Sequence, residues 1–183
     1  MFPYAANVCR LAHQIVSAMP GPKQVAVDAT LGNGHDSDFL AQHFARVTAF
    51  EIQATAVSAY LRRAPDNVTV IHASHHCLSD HLREPIDCAV FNLGFLPGSD
   101  KRVVTRPETT LPAVDQCLEL LRPGGLLILA VYVGHTGGSQ EAEAVLQHLE
   151  KCDKKTFAVV QHRYLNRGSD APFLVVVAKS QPG

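Results

Sequence analysis

Apolar residues in this chain fall into short runs separated by amphipathic stretches. Val25–Ala29, Val47–Phe50, Val68–His72, Ile86–Phe91, Leu126–Val133, Phe157–Leu165 and Phe173–Ala178 are strand-sized. The stretches between the earlier runs have helical spacing. Gly34–Phe44 places Phe39, Leu40, His43 and Phe44 on one side, and Gln53–Arg63 does the same with Ala56, Val57, Tyr60 and Leu61. Glu108–Leu121 and Ser139–Cys152 read as helices, Ser74–Leu82 as a short one, and Tyr4–Met19 as a helix before the first strand. Arg122-Pro123-Gly124-Gly125 is the predicted stop of the helix at 108–121. Strand–helix alternation predicts a parallel sheet covered by helices on both faces. Asn166–Pro172, between the last two strands, is too short for a crossover and predicts a hairpin. The expected fold is α/β and Rossmann-like: a seven-stranded, mostly parallel sheet with a terminal antiparallel hairpin. One domain over residues 1–183 is expected, its N-terminal helix within residues 1–20.

Four segments at the carboxyl ends of predicted strands carry candidate chemistry, which is where an open α/β sheet binds ligands. Asp28-Ala29-Thr30-Leu31-Gly32-Asn33-Gly34-His35-Asp36 leaves strand one and opens a helix. Its two glycines permit positive φ and close approach of a ligand, and the helix start offers free N–H groups. Ser37 stands where a dinucleotide fingerprint has its third glycine. Asp28 suits instead a ligand bearing a cationic amine and a carboxylate, as S-adenosylmethionine does. Glu51, after strand two, is placed to accept ribose hydroxyls; a helix-start carboxylate is the plainer alternative. Asn92–Lys101, after strand four, is long for a βα loop, and Asn92 offers a carbonyl that can orient an amine. Amine methyltransferases commonly carry a polar residue with Pro and an aromatic at this place. Tyr132–Gly138, after strand five, sets His135 among three glycines, as substrate contact, base or solvated loop residue. A nicotinamide oxidoreductase is disfavoured by the missing glycine and the terminal hairpin, which together match class I methyltransferases.

Composition narrows this reading. Of 183 residues, 46% are hydrophobic and 18% charged, enough for a packed core. Sixteen Lys/Arg against seventeen Asp/Glu give a net charge of −1, so no global basic field marks a nucleic-acid partner. No apolar run has the length of a membrane helix, and Met1–Arg10 lacks the pattern of a signal peptide. The five cysteines are scattered without a C-x-x-C, which predicts a reduced, cytoplasmic protein. His72, His75, His76 and Cys77 lack the second ligand pair of a structural zinc site.

The first motif, Asn92-Leu93-Gly94-Phe95-Leu96-Pro97-Gly98-Ser99-Asp100-Lys101, Tyr132–Gly138 and the Asn166…Pro172 segment together resemble one family. It is the MnmM-type tRNA 5-aminomethyl-2-thiouridine methyltransferases, earlier described as rRNA methylases. The resemblance runs from Leu11 to Lys179. It implies a class I fold and S-adenosylmethionine-dependent conversion of 5-aminomethyl-2-thiouridine at the tRNA wobble position to its methylaminomethyl form. It further implies that Asp28, Thr30, Gly32, Asn33, Gly34, His35 and Asp36 surround the methionine moiety. Glu51 and Gln53 would hold the ribose, and Ser74 and His75 would lie near the adenine. Asn92, Leu93 and Gly94 would line the methyl-transfer site. Lys101, Arg102, Arg106, Tyr132, His135, Arg163 and Asn166 would face the anticodon loop. A homodimer is compatible with an extended RNA surface. Four departures stand out: Arg167-Gly168-Ser169 replaces a Gln-x-Asn, Ala171-Pro172 a Pro-Pro, Ala178-Lys179 a Glu-Lys and Gly98-Ser99-Asp100 a Gly-Gly-Asp. They bear on which nucleoside is recognised. Methylation of rRNA or a small amine, and a non-catalytic cofactor-binding module, are the alternatives.

Overall fold

Parallel strands buried on both faces need apolar residues on both sides, and the first four strands have them. In the computed structural model, which describes residues 6–96, 98 and 102–181, these are β1 Val25–Asp28, β2 Arg46–Phe50, β3 Val68–Ile71 and β4 Ile86–Leu93. β5 Leu121–Val131, β6 Phe157–His162 and β7 Phe173–Lys179 complete one sheet. Its order is β3-β2-β1-β4-β5-β7-β6. The first five strands pair in parallel, while β7 runs antiparallel to β5 and β6. The helices are α1 Val8–Ala18, α2 His35–His43, α3 Ala54–Leu61, α4 Leu78–His81, α5 Pro107–Leu120 and α6 Gly138–Leu149. Among the described residues, no helix is long and apolar enough to cross a membrane.

Alternation along the strands divides the core between the two faces. Val25, Val27 and Ala29 join the cluster under α4, α5 and α6, whereas Ala26 joins the cluster under α1, α2 and α3. α1 buries Val8, Leu11, Ala12 and Val16, spaced as one helical stripe, and Asn7 caps it by accepting from the Arg10 N–H at 2.8 Å. At the end of the sheet away from the motifs, Asp87 accepts from the N–H groups of Gln24 and Val25 at 2.8 Å each, tying β1 to β4.

Three details correct the sequence reading, and a fourth, the strand order at the hairpin, adds to it. β4 extends through Asn92 and Leu93, which were expected in the loop after it. β5 begins at Leu121, paired with Ile86, and the Arg122–Gly125 segment is an irregularity inside that strand. A helix cannot continue into Pro123, but a strand bulge with Gly124 at φ +79° can accommodate it. Ser74–Leu82 divides into a 3-10 turn, His75–Cys77, and α4. The reversed strand β7 inserts between β5 and β6, leaving β6 at the edge.

Candidate active site

The glycine loop is held from three sides. Asp28, fully buried at the end of β1, accepts from the Ser37 hydroxyl at 2.7 Å and the Thr30 N–H at 3.1 Å. Burial, then the nearby Asp36 charge, push its carboxyl above the usual carboxylate range; the hydrogen bonds from Ser37 and Thr30 oppose this. Glu51 binds the loop to β2: one oxygen accepts from the Gly32 N–H at 3.0 Å, the other from the Gln53 N–H at 2.8 Å. Gly34 caps α2 with φ +81°, and a Cβ there would lie 2.1 Å from Tyr60 Cε2. Arg63 donates to the Asn33 carbonyl and to Asp38, both at 2.6 Å, and the Tyr60 hydroxyl donates to Asp38 at 2.9 Å. α3 therefore buttresses the loop from behind. Above the loop lies Leu96, whose Cδ1 would be 3.1 Å from a Cβ on Gly32.

The end of β4 is joined to this loop. The Asn92 N–H donates to Thr30 Oγ1 at 2.7 Å, and the Asn92 side-chain N–H donates to Asp36. The other oxygen of Asp36 meets His13 Nε2 at 2.5 Å. Asn92 Oδ1 is approached by the Cys9 thiol at 3.5 Å, and that thiol lies 3.1 Å from the Tyr132 hydroxyl. Beyond β4, Phe95 bridges Val104 and the Thr105 N–H returns to the Gly94 carbonyl at 2.9 Å. Glu141, buried on α6, accepts from the Thr105 and Thr110 hydroxyls at 2.7 Å each and so ties the returning chain and α5 to α6.

Two buried imidazole nitrogens lack partners among the described residues: Nε2 of His75 and Nε2 of His135. His75 Nδ1 faces the Ala29 carbonyl at 3.1 Å, and burial lowers its pKa to about 4, so it is neutral at pH 7 with Nε2 as an open acceptor. His135 Nδ1 faces the Thr136 carbonyl at 3.0 Å, its ring meets Phe95 edge-on, and its Nε2 lies 3.6 Å from where a Gly94 Cβ would stand.

A family model described as "Putative rRNA methylase" matches residues 47–178. The chain belongs to the rRNA methylase family. A curated relative, the chloroplastic tRNA (mnm(5)s(2)U34)-methyltransferase of Arabidopsis thaliana, is 30% identical over 93% of this chain and 69% of its own length. Among solved structures, a "putative rRNA-methylase" from Clostridium thermocellum superposes with a TM-score of 0.90 at 34% identity, covering 94% of this chain and 97% of that one. A "putative methyltransferase" from Streptococcus mutans in complex with S-adenosylhomocysteine superposes with a TM-score of 0.86 at 36% identity, covering 94% and 98%.

In this methylase the residues expected around a cofactor converge at the carboxyl ends of β1, β2 and β3. Asp28, Thr30, Gly32, Asn33, Gly34, His35 and Asp36 form the loop and the start of α2, with Glu51 and Gln53 after β2 and Ser74 and His75 after β3. Asn92, Leu93 and Gly94 adjoin that loop, and Tyr132 and His135 pack against Gly94. The remaining expected RNA contacts are dispersed. Arg106 precedes α5 and is exposed, while exposed Arg163 and Asn166 follow β6. Arg102 lies in the chain returning from β4, and Lys101 falls outside the described residues. Sequence reasoning missed His13 and Cys9 on α1, Ser37 behind Asp28, and the Tyr60–Arg63 buttress. Ser37 had one usable signal, its place in the first turn of a helix opening beside Asp28.

Proposed function

We propose that this methylase transfers a methyl group from S-adenosylmethionine to the aminomethyl nitrogen of 5-aminomethyl-2-thiouridine at the wobble position of tRNA. The observation that carries the reading is the placement of Asn92. Its backbone is bonded to the glycine loop through Thr30, and its side chain reaches Asp36. An amide that can hold an amine is thus built onto the loop that fits the cofactor.

The fit is chemical as well as spatial. Asp28 and the open N–H groups at the start of α2 match the ammonium and carboxylate of the methionine moiety. Glu51 matches ribose hydroxyls, and the neutral His75 leaves an acceptor nitrogen unpaired in the same region. When bound, S-adenosylmethionine supplies an electrophilic methyl group that the amine nitrogen takes, the sulfur leaving as a neutral thioether. Asn92 Oδ1 accepts one amine hydrogen and directs the lone pair, which is catalysis by positioning. The proton released from nitrogen passes to water. His135 and Tyr132, beside Gly94, form the wall on which the uridine ring rests. Arg102, Arg106, Arg163 and Asn166, with Lys101, contact the anticodon loop.

The test is nucleoside mass spectrometry. Purified protein, S-adenosylmethionine and tRNA carrying the aminomethyl nucleoside should yield the methylaminomethyl product. Methyl incorporation into rRNA with none into tRNA would replace this reading with the rRNA one. Asn92→Ala should lower turnover by about a hundredfold and leave S-adenosylhomocysteine affinity within about threefold. Turnover near wild type would remove Asn92 from the mechanism. A cytoplasmic location and a homodimer belong to the same proposal. The edge strand β6 exposes Val159 and Val160, a surface on which a second copy can pair. Light scattering that gives a monomer at working concentration would remove the dimer.

A further inference from the structure

We infer that α1 is part of the acceptor site, where His13 and Asp36 act as a positioning pair that locks the Asn92 amide with its oxygen toward the incoming amine. The inference rests on Asn92 holding that amine, and it gives Asp36 a role on the acceptor side of the site.

A side-chain amide has almost the same shape either way round. The partners of its oxygen and nitrogen decide which way it sits. A carboxylate accepts hydrogen bonds and donates none. Asp36 is buried, 6% exposed, and turns one oxygen toward the Asn92 side chain, so the Asn92 nitrogen must face it. Reversing the amide would press two acceptors together in a poorly hydrated place, where an unmet polar contact is costly. The second oxygen of Asp36 meets His13 Nε2 at 2.5 Å, which removes the carboxylate's freedom to rotate away.

His13 is itself held. Its ring stacks on Phe39 of α2 with centroids 3.8 Å apart and planes 3° from parallel. α1 and α2 therefore fix the imidazole, the imidazole fixes the carboxylate, and the carboxylate fixes the amide. The partner left to Asn92 Oδ1 is the Cys9 thiol at 3.5 Å, a weak donor that an amine N–H outcompetes. The Tyr132 hydroxyl, 3.1 Å from the same thiol, completes that wall.

Exchange of the pair tests this. Asn92→Asp alone sets two carboxylates against each other. Asp36→Asn alone leaves two amides with no fixed orientation. The double variant Asp36→Asn/Asn92→Asp restores one donor facing one acceptor, with an oxygen still turned to the amine. Each single variant should lower kcat on tRNA by about tenfold or more, with S-adenosylhomocysteine affinity unchanged in Asn92→Asp, and the double variant should recover about tenfold over Asn92→Asp. His13→Ala should lower kcat by about tenfold while KM stays close to wild type, and His13→Gln should regain part of the loss. A double variant no better than Asn92→Asp overturns the inference, as does a His13→Ala protein with wild-type kcat. A second readout is independent of turnover. In the protein saturated with S-adenosylhomocysteine, the Asn92 side-chain N–H signals should shift in both Asp36→Asn and His13→Ala. Unchanged signals overturn the pairing. Wild-type protein that leaves tRNA unmethylated while these signals shift would end the tRNA reading and keep the pairing.

Discussion

Two buried groups in the site titrate in opposite directions, and their effects on stability are opposite too. Asp28 has a raised pKa in the folded protein, from burial first and the Asp36 charge second. Its folding contribution is therefore present at low pH and is lost as pH rises through the folded value. Asp28→Asn keeps an acceptor for the Thr30 N–H and relieves that loss. The variant should melt higher than wild type at pH 7 without ligand, and it should bind S-adenosylhomocysteine about tenfold more weakly. Thermal melts and titration calorimetry check both, and unchanged values in both would contradict the account. His75 runs the other way. Burial lowers its pKa from 6.5 to about 4, so its contribution is present above pH 6.5 and is lost as pH falls. At pH 5 the loss is about 2 kcal/mol by linkage. His75→Gln should lose less stability than wild type between pH 7 and pH 5 in urea titrations, and parallel curves would contradict this.

Elements place these residues, and the tightest joint is between α2 and α3. Gly34 begins α2 in a left-handed conformation, and a Cβ there would enter the Tyr60 ring, whose hydroxyl is held by Asp38. Gly34→Ala should cost about 2–4 kcal/mol in urea unfolding, from overpacking together with the backbone penalty. The glycine requirement was legible in the sequence because the strand–glycine–helix pattern is local. So were the seven strands and the terminal hairpin, since β-branched runs and a short Asn166–Pro172 connection are local too. Other features depend on residues far apart in the chain. Leu121 enters β5 because Ile86 is beside it, and Asn92 remains in a strand because Ala130 pairs with it. His13 reaches Asp36 across 23 positions, and Cys9 reaches Asn92 across 83 and Tyr132 across 123. α1 showed an apolar stripe, which predicts burial. Nothing in that stripe says which strand end the polar residues between its positions will meet.

For the whole molecule, a net charge of −1 argued against a nucleic-acid partner, yet three of the acidic residues, Asp28, Asp36 and Glu51, lie in the site and are buried. Buried there, they add little to the charge that a partner meets at the surface. Away from that site, Arg106 stands ahead of α5, and the turn after β6 carries Arg163 over the Phe173 ring at 4.8 Å and Arg167 over the Tyr164 ring at 3.8 Å. Guanidinium planes supported by aromatic rings suit splayed single-stranded bases, which is how RNA loops are read. Under the proposed function these side chains make few phosphate contacts. About four contacts to a single-stranded loop give a slope of about −3 for log affinity against log salt. The double variant Arg106→Ala/Arg163→Ala should flatten the slope by about 1–2, weaken tRNA binding at low salt and leave S-adenosylhomocysteine affinity unchanged. Filter binding across a salt series measures this. A wild-type slope near −10 would require a broad basic surface, and a slope unaltered in the double variant would move the RNA path away from α5 and the β6–β7 turn.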